Sequence, residues 1–424
     1  MAGIARLARA SGHHVTGSDK AAYPPMSDQL RAQGIEVELG LERLSTAADL
    51  IVIGNAMTRG MPVVEQVLNE RWPYTSGPQW LHDHVLGSRD VIAVAGTHGK
   101  TTTSSMLAWI LECSELQPGF LIGGVPGNFD VSARLGTGPF VVEADEYDTA
   151  FFDKRAKFVH YPARVFVINN LEHDHADIYP DITSIVRQFH HAVRALPGNA
   201  AIIRQAKDEH IDSLLEQGCW TPVSTFGDTH GDWHARAQPD CAFDIYVHGQ
   251  HAATVQWQIP GAHNRQNALA AVAAAAQFGV SSSQAAHALG SFKLPARRLE
   301  LRHLVAGVSV YLDFAHHPTA IATTIDALRD ANARTLVAVE PRSNTMRAGI
   351  HGARLPQALD AADYACFLSA QPFVGAGKLP IFTTSEEVAR ALTERAQDGD
   401  NIVLMSNGNL SALADLVADI LRKT

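Results

Sequence analysis

Short blocks of consecutive apolar residues alternate along this chain with longer stretches in which apolar positions recur every three or four residues. The blocks Leu50–Ile53 (LIVI), Val91–Ala95 (VIAVA), Phe140–Val142, Val165–Ile168 (VFVI), Val310–Leu312, Thr335–Val339 (TLVAV), Ala365–Leu368 and Ile402–Met405 predict buried strands. His13–Gly17 (HHVTG) reads as one more, with Ser18 and Asp19 at its end. The helical spacing predicts helices over Ala2–Ala10, closing over Leu30–Gly34, running on from Lys100 through Leu111, from Gly261–Asn267 through Ala276, over Thr319–Asp330 and over Leu410–Leu421. Strands and helices therefore alternate, the mark of α/β architecture. Turn-rich passages at Trp72–Asp90 and Phe292–Leu301 divide the pattern into three units, residues 1–86, 87–292 and 293–424. The outer two read as Rossmann-like and the middle one as a P-loop unit. The first unit is unusual, because it opens inside a helix where such a unit normally begins with a strand and a glycine-rich turn.

A chain of 424 residues, 46% hydrophobic and 18% charged, can bury the cores of several domains. The net charge of −10 comes without any cluster of Lys or Arg, which gives no support to a nucleic-acid or membrane-surface partner. Four scattered cysteines show no metal-type spacing and fit a reducing compartment. The longest apolar run, Ala268–Ala276, is too short to cross a bilayer, and no secretory signal pattern is seen. These features predict a cytoplasmic enzyme; they do not indicate an oligomeric state.

The chemistry concentrates at strand ends. After Val91–Ala95 comes Gly96-Thr97-His98-Gly99-Lys100-Thr101-Thr102, a shorter form of the glycine-rich phosphate loop. Glycines let backbone N–H groups converge on a phosphate, and the helix that follows adds its positive end. In that reading Lys100 reaches the terminal phosphates and Thr101 sits on Mg²⁺. Glu143-Ala144-Asp145-Glu146-Tyr147-Asp148 follows the strand Phe140–Val142, and Glu143 is placed as the second Mg²⁺ ligand; a solvated acidic turn is the bland alternative. Asn169-Asn170-Leu171-Glu172-His173-Asp174-His175 ends the next strand, which makes His175 a metal or phosphate candidate. His263, Asn264 and Asn267 begin a helix, where the amides either cap it or bind a base. Asp313-Phe314-Ala315-His316-His317-Pro318 and Glu340-Pro341-Arg342 end strands of the third unit, and their arginine is suited to a carboxylate.

Taken together, AGTHGKTTT, EADEYD, NLEHDH, GAHNRQN and FAHHPTA resemble, in order, the motifs of the Mur ligase family, the ATP-dependent amino-acid and peptide ligases of peptidoglycan assembly. The likeness runs over nearly the whole chain. The Tyr147–Tyr161 segment, the EPRSNTM stretch and the opening GHHVTGSD with YPPMS resemble the recycling branch rather than the branch that adds L-alanine. The resemblance implies a UDP-sugar-binding first domain, an ATPase middle domain and a Rossmann-like third. It implies a ligase that joins the tripeptide L-Ala-γ-D-Glu-meso-diaminopimelate to the lactyl carboxylate of UDP-N-acetylmuramate through an acyl phosphate. Lys100, Glu143, His175 and His316 would then be catalytic. The loop residues Gly96 to Thr102, with His263, Asn264 and Asn267, would bind ATP. Thr101, Glu143 and His175 would hold Mg²⁺, and Ser18, Asp19, Asn170, His317 and Arg342 would meet the substrates. Three other readings stay open: the L-alanine ligase, a folate-type polyglutamate ligase, and a nucleotide-binding protein impaired in catalysis. The family also implies a strand and glycine turn ahead of Met1. The expectation is thus a chain shortened at its N-terminus, with a weakened sugar-nucleotide site and an intact ATP site.

Overall fold

In the computed structural model, which describes residues 1–45, 48–176, 178–329, 333–347, 349–371 and 375–423, the apolar blocks become strands. The first unit runs α1 (Ala2–Ala10), β1 (Thr16–Asp19), α2 (Met26–Ala32), β2 (Glu36–Leu39), β3 (Ile51–Ile53), α3 (Pro62–Asn69), β4 (Tyr74–Ser76) and α4 (Gly77–Leu81). Its strands form two separate parallel pairs, β1 with β2 and β3 with β4. The strand expected at His13 begins at Thr16 instead. His13 packs edge-on against the rings of Trp80 and His84, contacts that a strand residue pairing with β2 would not make. Helix α1 turns Ile4, Leu7 and Ala8 into the core of the middle unit.

The middle unit carries β5 (Val91–Ala95), α5 (Lys100–Cys113), β6 (Gly119–Leu121), β7 (Ala133–Arg134), β8 (Phe140–Glu143), a hairpin of β9 (Asp148–Ala150) and β10 (Asp153–Ala156), and β11 (Ala163–Ile168). After these come α6 (Ile182–Val193), β12 (Ala201–Gln205), α7 (Glu209–Glu216), β13 (Val223–Gly227), β14 (Trp233–Ala237), β15 (Phe243–Val247), β16 (Gln250–Val255), α8 (Ala262–Ala276) and α9 (Ser282–Gly290). Ten of the strands form one sheet in the order β16-β15-β14-β13-β12-β11-β5-β8-β6-β7. Every residue of β5 is buried, as expected of a central strand covered on both faces. Helices α5, α8 and α9 cover one face; α6 and α7 cover the other. The first unit docks on the β7 edge, where Gln29 Oε1 accepts from Ser132 N and Oγ at 3.2 and 3.0 Å.

The third unit has β17 (Glu300–Val305), β18 (Val308–Asp313), α10 (Pro318–Leu328), β19 (Thr335–Val339), α11 (Asn344–Arg347), α12 (Arg354–Gln357), β20 (Tyr364–Leu368), β21 (Ile381–Phe382), α13 (Ser385–Thr393), β22 (Asn401–Met405) and α14 (Ser411–Leu421). Its six strands run β17-β18-β22-β19-β20-β21, with only β17 antiparallel. Helix α10 was expected to reach Asp330; it ends at Leu328, and Asp330 lies outside the described residues. Between the middle and third units the chain is held from both sides. Lys293 N and Ala296 N donate to Asn128 Oδ1 and Val125 O of the middle unit, at 2.7 and 3.3 Å. Arg297 Nη1 donates to Gly408 O at 2.6 Å, and Leu299 N to Asp313 Oδ2 at 2.6 Å, both in the third. The carboxyl ends of the middle strands β5, β8 and β11 thus face those of β18 and β19. Among the described residues no helix is long and apolar enough to cross a membrane.

Candidate active site

The loop after β5 has the shape its glycines permit. Gly96 and Gly99 take φ of 127° and 79°, which side chains disfavour. A Cβ on Gly99 would also lie 2.3 Å from Asn267 Oδ1. Gly99 stands at the N-cap of α5 and supplies no capping side chain, so the first amides of this helix are free of a side-chain acceptor. That leaves a positive helix end and an unhindered backbone, the arrangement that suits a phosphate. The loop is braced by the strand beside it. Asn170 Oδ1 accepts from His98 N at 2.8 Å, and Asn169 Nδ2 donates to Thr103 Oγ1 at 2.9 Å. Thr97 Oγ1 accepts from Glu172 N at 2.9 Å. Asn170, expected to meet substrate, is therefore used to hold the loop.

Two polar clusters flank the loop. In one, Thr101 Oγ1 donates to Glu143 Oε1 at 2.8 Å, while Glu143 Oε2 accepts from Gly123 N at 2.7 Å. Arg298 reaches in from the linker and donates to Thr101 Oγ1 at 3.2 Å. In the other, Lys100 Nζ lies 2.8 Å from Glu146 Oε2 and also bonds Gly96 O at 2.6 Å. His175 Nε2 lies 2.9 Å from Glu146 Oε1, and Tyr147 packs on the His175 ring. Burial works against all three charges. It is outweighed, so Lys100 and His175 keep pKa values above the ordinary ones and Glu146 stays below. Glu146, 2% exposed, is the residue that reading the sequence passed over in favour of Glu143. Only its depth, set by tertiary packing, separates it from its acidic neighbours.

The helix that starts at Ala262 is not capped by asparagine; Gly261 is its N-cap. Asn264 Nδ2 donates back to Pro260 O at 2.8 Å, and Asn267 Oδ1 accepts from Thr103 Oγ1 at 3.2 Å, which fastens α8 to α5 below the loop. Burial pushes His263 down to about 4, so its ring is neutral. Thr102 is buried in the first turn of α5.

Across the cleft, His317 caps α10 through Thr319 N at 3.3 Å and lies 3.6 Å from Glu172 Oε2. His98 comes within 3.8 Å of the same carboxylate, and its ring lies 4.6 Å from that of His317. Thr319 Oγ1 donates to Glu172 Oε2 at 2.7 Å, so Glu172 ties the third unit to the phosphate loop. His316 bonds Phe314 O at 3.0 Å and faces the charge of Asp174. Asp313 is buried on the amides of Leu299 and Ala315. Arg342 turns to Glu340 at 3.9 Å and lies against Gly408; the arginine beside Glu172 is Arg354, at 3.7 Å. Ser18 and Asp19 lie in the first unit at the end of β1, where Ser18 Oγ donates to Gly40 O and Asp19 accepts from Ala21 N.

The geometry offers a phosphate cradle and, in one cluster, a pair of hard oxygen donors in Thr101 and Glu143, which fits Mg²⁺ beside a nucleotide triphosphate; the imidazole of His175 lies in the other cluster, on Glu146. Comparison with known proteins agrees in scope. Residues 94–275 match the Mur ligase middle domain, residues 1–89 the Mur ligase family catalytic domain, and residues 297–408 the Mur ligase glutamate ligase domain. The chain is 48% identical over 446 residues to the UDP-N-acetylmuramate–L-alanyl-γ-D-glutamyl-meso-2,6-diaminoheptandioate ligase of Escherichia coli K12, covering 100% of this chain and 96% of that one. It is 31% identical to the UDP-N-acetylmuramate–L-alanine ligase of an Arthrobacter species, over 99% of this chain and 92% of that relative. The crystal structure of a murein peptide ligase from Psychrobacter arcticus superposes with a TM-score of 0.76 at 42% identity, over 100% of this chain and 97% of that one.

Proposed function

The chain belongs to the Mur ligase family, and from that premise we propose that it joins L-alanyl-γ-D-glutamyl-meso-diaminopimelate to UDP-N-acetylmuramate at the expense of ATP. The observation that carries this reading is the full-length identity of 48% to a ligase of that acceptor, against 31% to a ligase of L-alanine. An ATP-dependent amide-forming ligase must hold a phosphoryl donor, a carboxylate and an amine in line, and the protein's work is positioning and neutralising charge.

The residues divide that work. Lys100 and the free amides of the α5 N-terminus cradle the terminal phosphates. Thr101 and Glu143, with His175, would hold Mg²⁺, which when bound supplies positive charge against the phosphate oxygens. Glu146 keeps Lys100 charged and holds it and His175 at one place; His175 would have to shed its proton to join the metal. Arg298 adds a cation from the linker at the same oxygen cluster. The γ-phosphoryl group passes to the lactyl carboxylate. The peptide amine then attacks the acyl carbon, phosphate leaves, and the amide remains. His263 and Asn264 lie where α8 starts, on the α5 face, and form the adenine side. Ser18 and Asp19 belong to the sugar-nucleotide side, and His316, His317 and Arg342 to the peptide side. The test is mass spectrometry of the products made from UDP-N-acetylmuramate, ATP and either the tripeptide or L-alanine. The tripeptide adduct should dominate; a product made mainly from L-alanine would refute the assignment.

A further inference from the structure

A cavity of about 680 Å³ opens between the middle and third units, beside the phosphate loop. Its floor is the segment after β11 together with the starts of α6 and α7, and Thr319 and Arg354 form its roof. Glu172 stands in its wall and is bonded through its backbone to Thr97 of the loop.

The charges in this cavity differ in how they are engaged. Asp208 is fully used: Oδ1 accepts from His210 N and Ile211 N, and Oδ2 from Leu171 N. Glu172 is shared among Thr319, His98 and His317. Lys207 is exposed and has neither a hydrogen bond nor an ion pair among the described residues. Arg354, its side chain 61% exposed, has among the described residues only the loose 3.7 Å approach to Glu172. Glu209, also exposed, is likewise without a partner among the described residues. The cavity therefore offers two cations from opposite walls and one anion, in a chain whose net charge is −10.

Its place in the fold selects the ligand. The first unit docks on the β7 edge, on one side of β5; the cavity lies at β11 and β12, on the other. Three strands, β5, β8 and β6, separate β11 from the β7 edge. The cavity is also on the α6 and α7 face of the sheet, away from the α5 and α8 face where His263 and Asn264 lie. An extended tripeptide spans about 10 Å, enough to run from an amine at the loop into this space.

Resting on the function proposed above, we propose that this cavity binds the far end of the acceptor peptide, with Lys207 and Arg354 pairing the carboxylates of its terminal diamino-diacid residue and Glu209 facing the ammonium group. Two carboxylates and one ammonium match two cations and one anion. The cavity thus selects the acceptor by the charge pattern of its third residue.

The test compares two acceptors in the intact enzyme: the diaminopimelate tripeptide and the same peptide ending in L-lysine, which lacks only the distal carboxylate. Wild type should favour the first in kcat/KM. In Lys207→Ala/Arg354→Ala that preference should fall by about tenfold or more, through KM for the peptide and not through KM for ATP. Normal ligation with an unchanged preference in the double variant, or no preference in wild type, would overturn the cavity assignment alone. A wild type that makes product from neither peptide would overturn the functional reading beneath it.

Discussion

At the scale of single residues, Lys100 shows how a reading of the motif changes once its partner is known. The loop alone suggests that Lys100→Ala removes a phosphate contact and nothing else. The structure adds Glu146, buried at 2% exposure and paired with that ammonium at 2.8 Å. Taking away the ammonium leaves the buried carboxylate with His175 as its remaining cationic partner, at a cost of about 1–3 kcal/mol. Lys100→Ala should therefore lower the thermal midpoint as well as cut ligation by about a hundredfold or more. Lys100→Ala/Glu146→Gln should recover part of the lost midpoint, since His175 then loses its own partner, and remain inactive. Calorimetry paired with a phosphate-release assay separates the two effects; if the double variant were as unstable as the single one, Glu146 would not be what strands the charge.

Among the elements, α8 is a brace for the phosphate loop. Asn267→Ala removes the acceptor of Thr103 Oγ1 and the side chain packed against Gly99, a loss of about 1 kcal/mol. Since that contact lies directly beneath the loop, KM for ATP should rise while KM for the peptide stays near wild type, which steady-state kinetics can read. The elements themselves were largely legible in the sequence. Ala2–Ala10 and Thr335–Val339 match the sequence pattern to the residue; Arg334 and Glu340 bound the strand, and Ser11-Gly12 ends the helix. The strand near His13 begins later than its sequence pattern suggests, since only Val15 of HHV is apolar and the ring of His13 is held by Trp80 and His84. Contiguous motif residues such as Lys100, Thr101 and Glu143 could be picked out by spacing. Glu146, Arg298 and Arg354 could not, because their meaning comes from partners far away in the chain: Arg298 meets Thr101 across 197 positions.

For the molecule as a whole, the contact between the middle and third units is built on uncharged imidazoles. His316, His317 and His351 all have pKa values below that of free histidine, chiefly through burial, and His317 falls to about 3. Asp174 and Glu172 pull the other way without reversing this. Below about pH 6.5 the unfolded chain takes up protons that the folded one refuses, so stability is present above that pH and is lost as pH falls toward the folded values. The thermal midpoint should drop between pH 7.5 and 5. His317→Asn, which keeps an acceptor at the N-cap of α10, should flatten the drop; an equally steep profile would place the acid sensitivity elsewhere. The linker has a mechanical consequence of its own. Ala296 is fastened to the middle unit and Arg297 to the third, so a single peptide link joins two anchored points. A swing of the third unit would turn about that link, as a door does on its pin. Arg298 is one residue beyond the pivot, on the moving side. Such a swing would draw its guanidinium away from Thr101 as the cleft opens, so that opening the cleft and disarming the phosphate centre would be one movement.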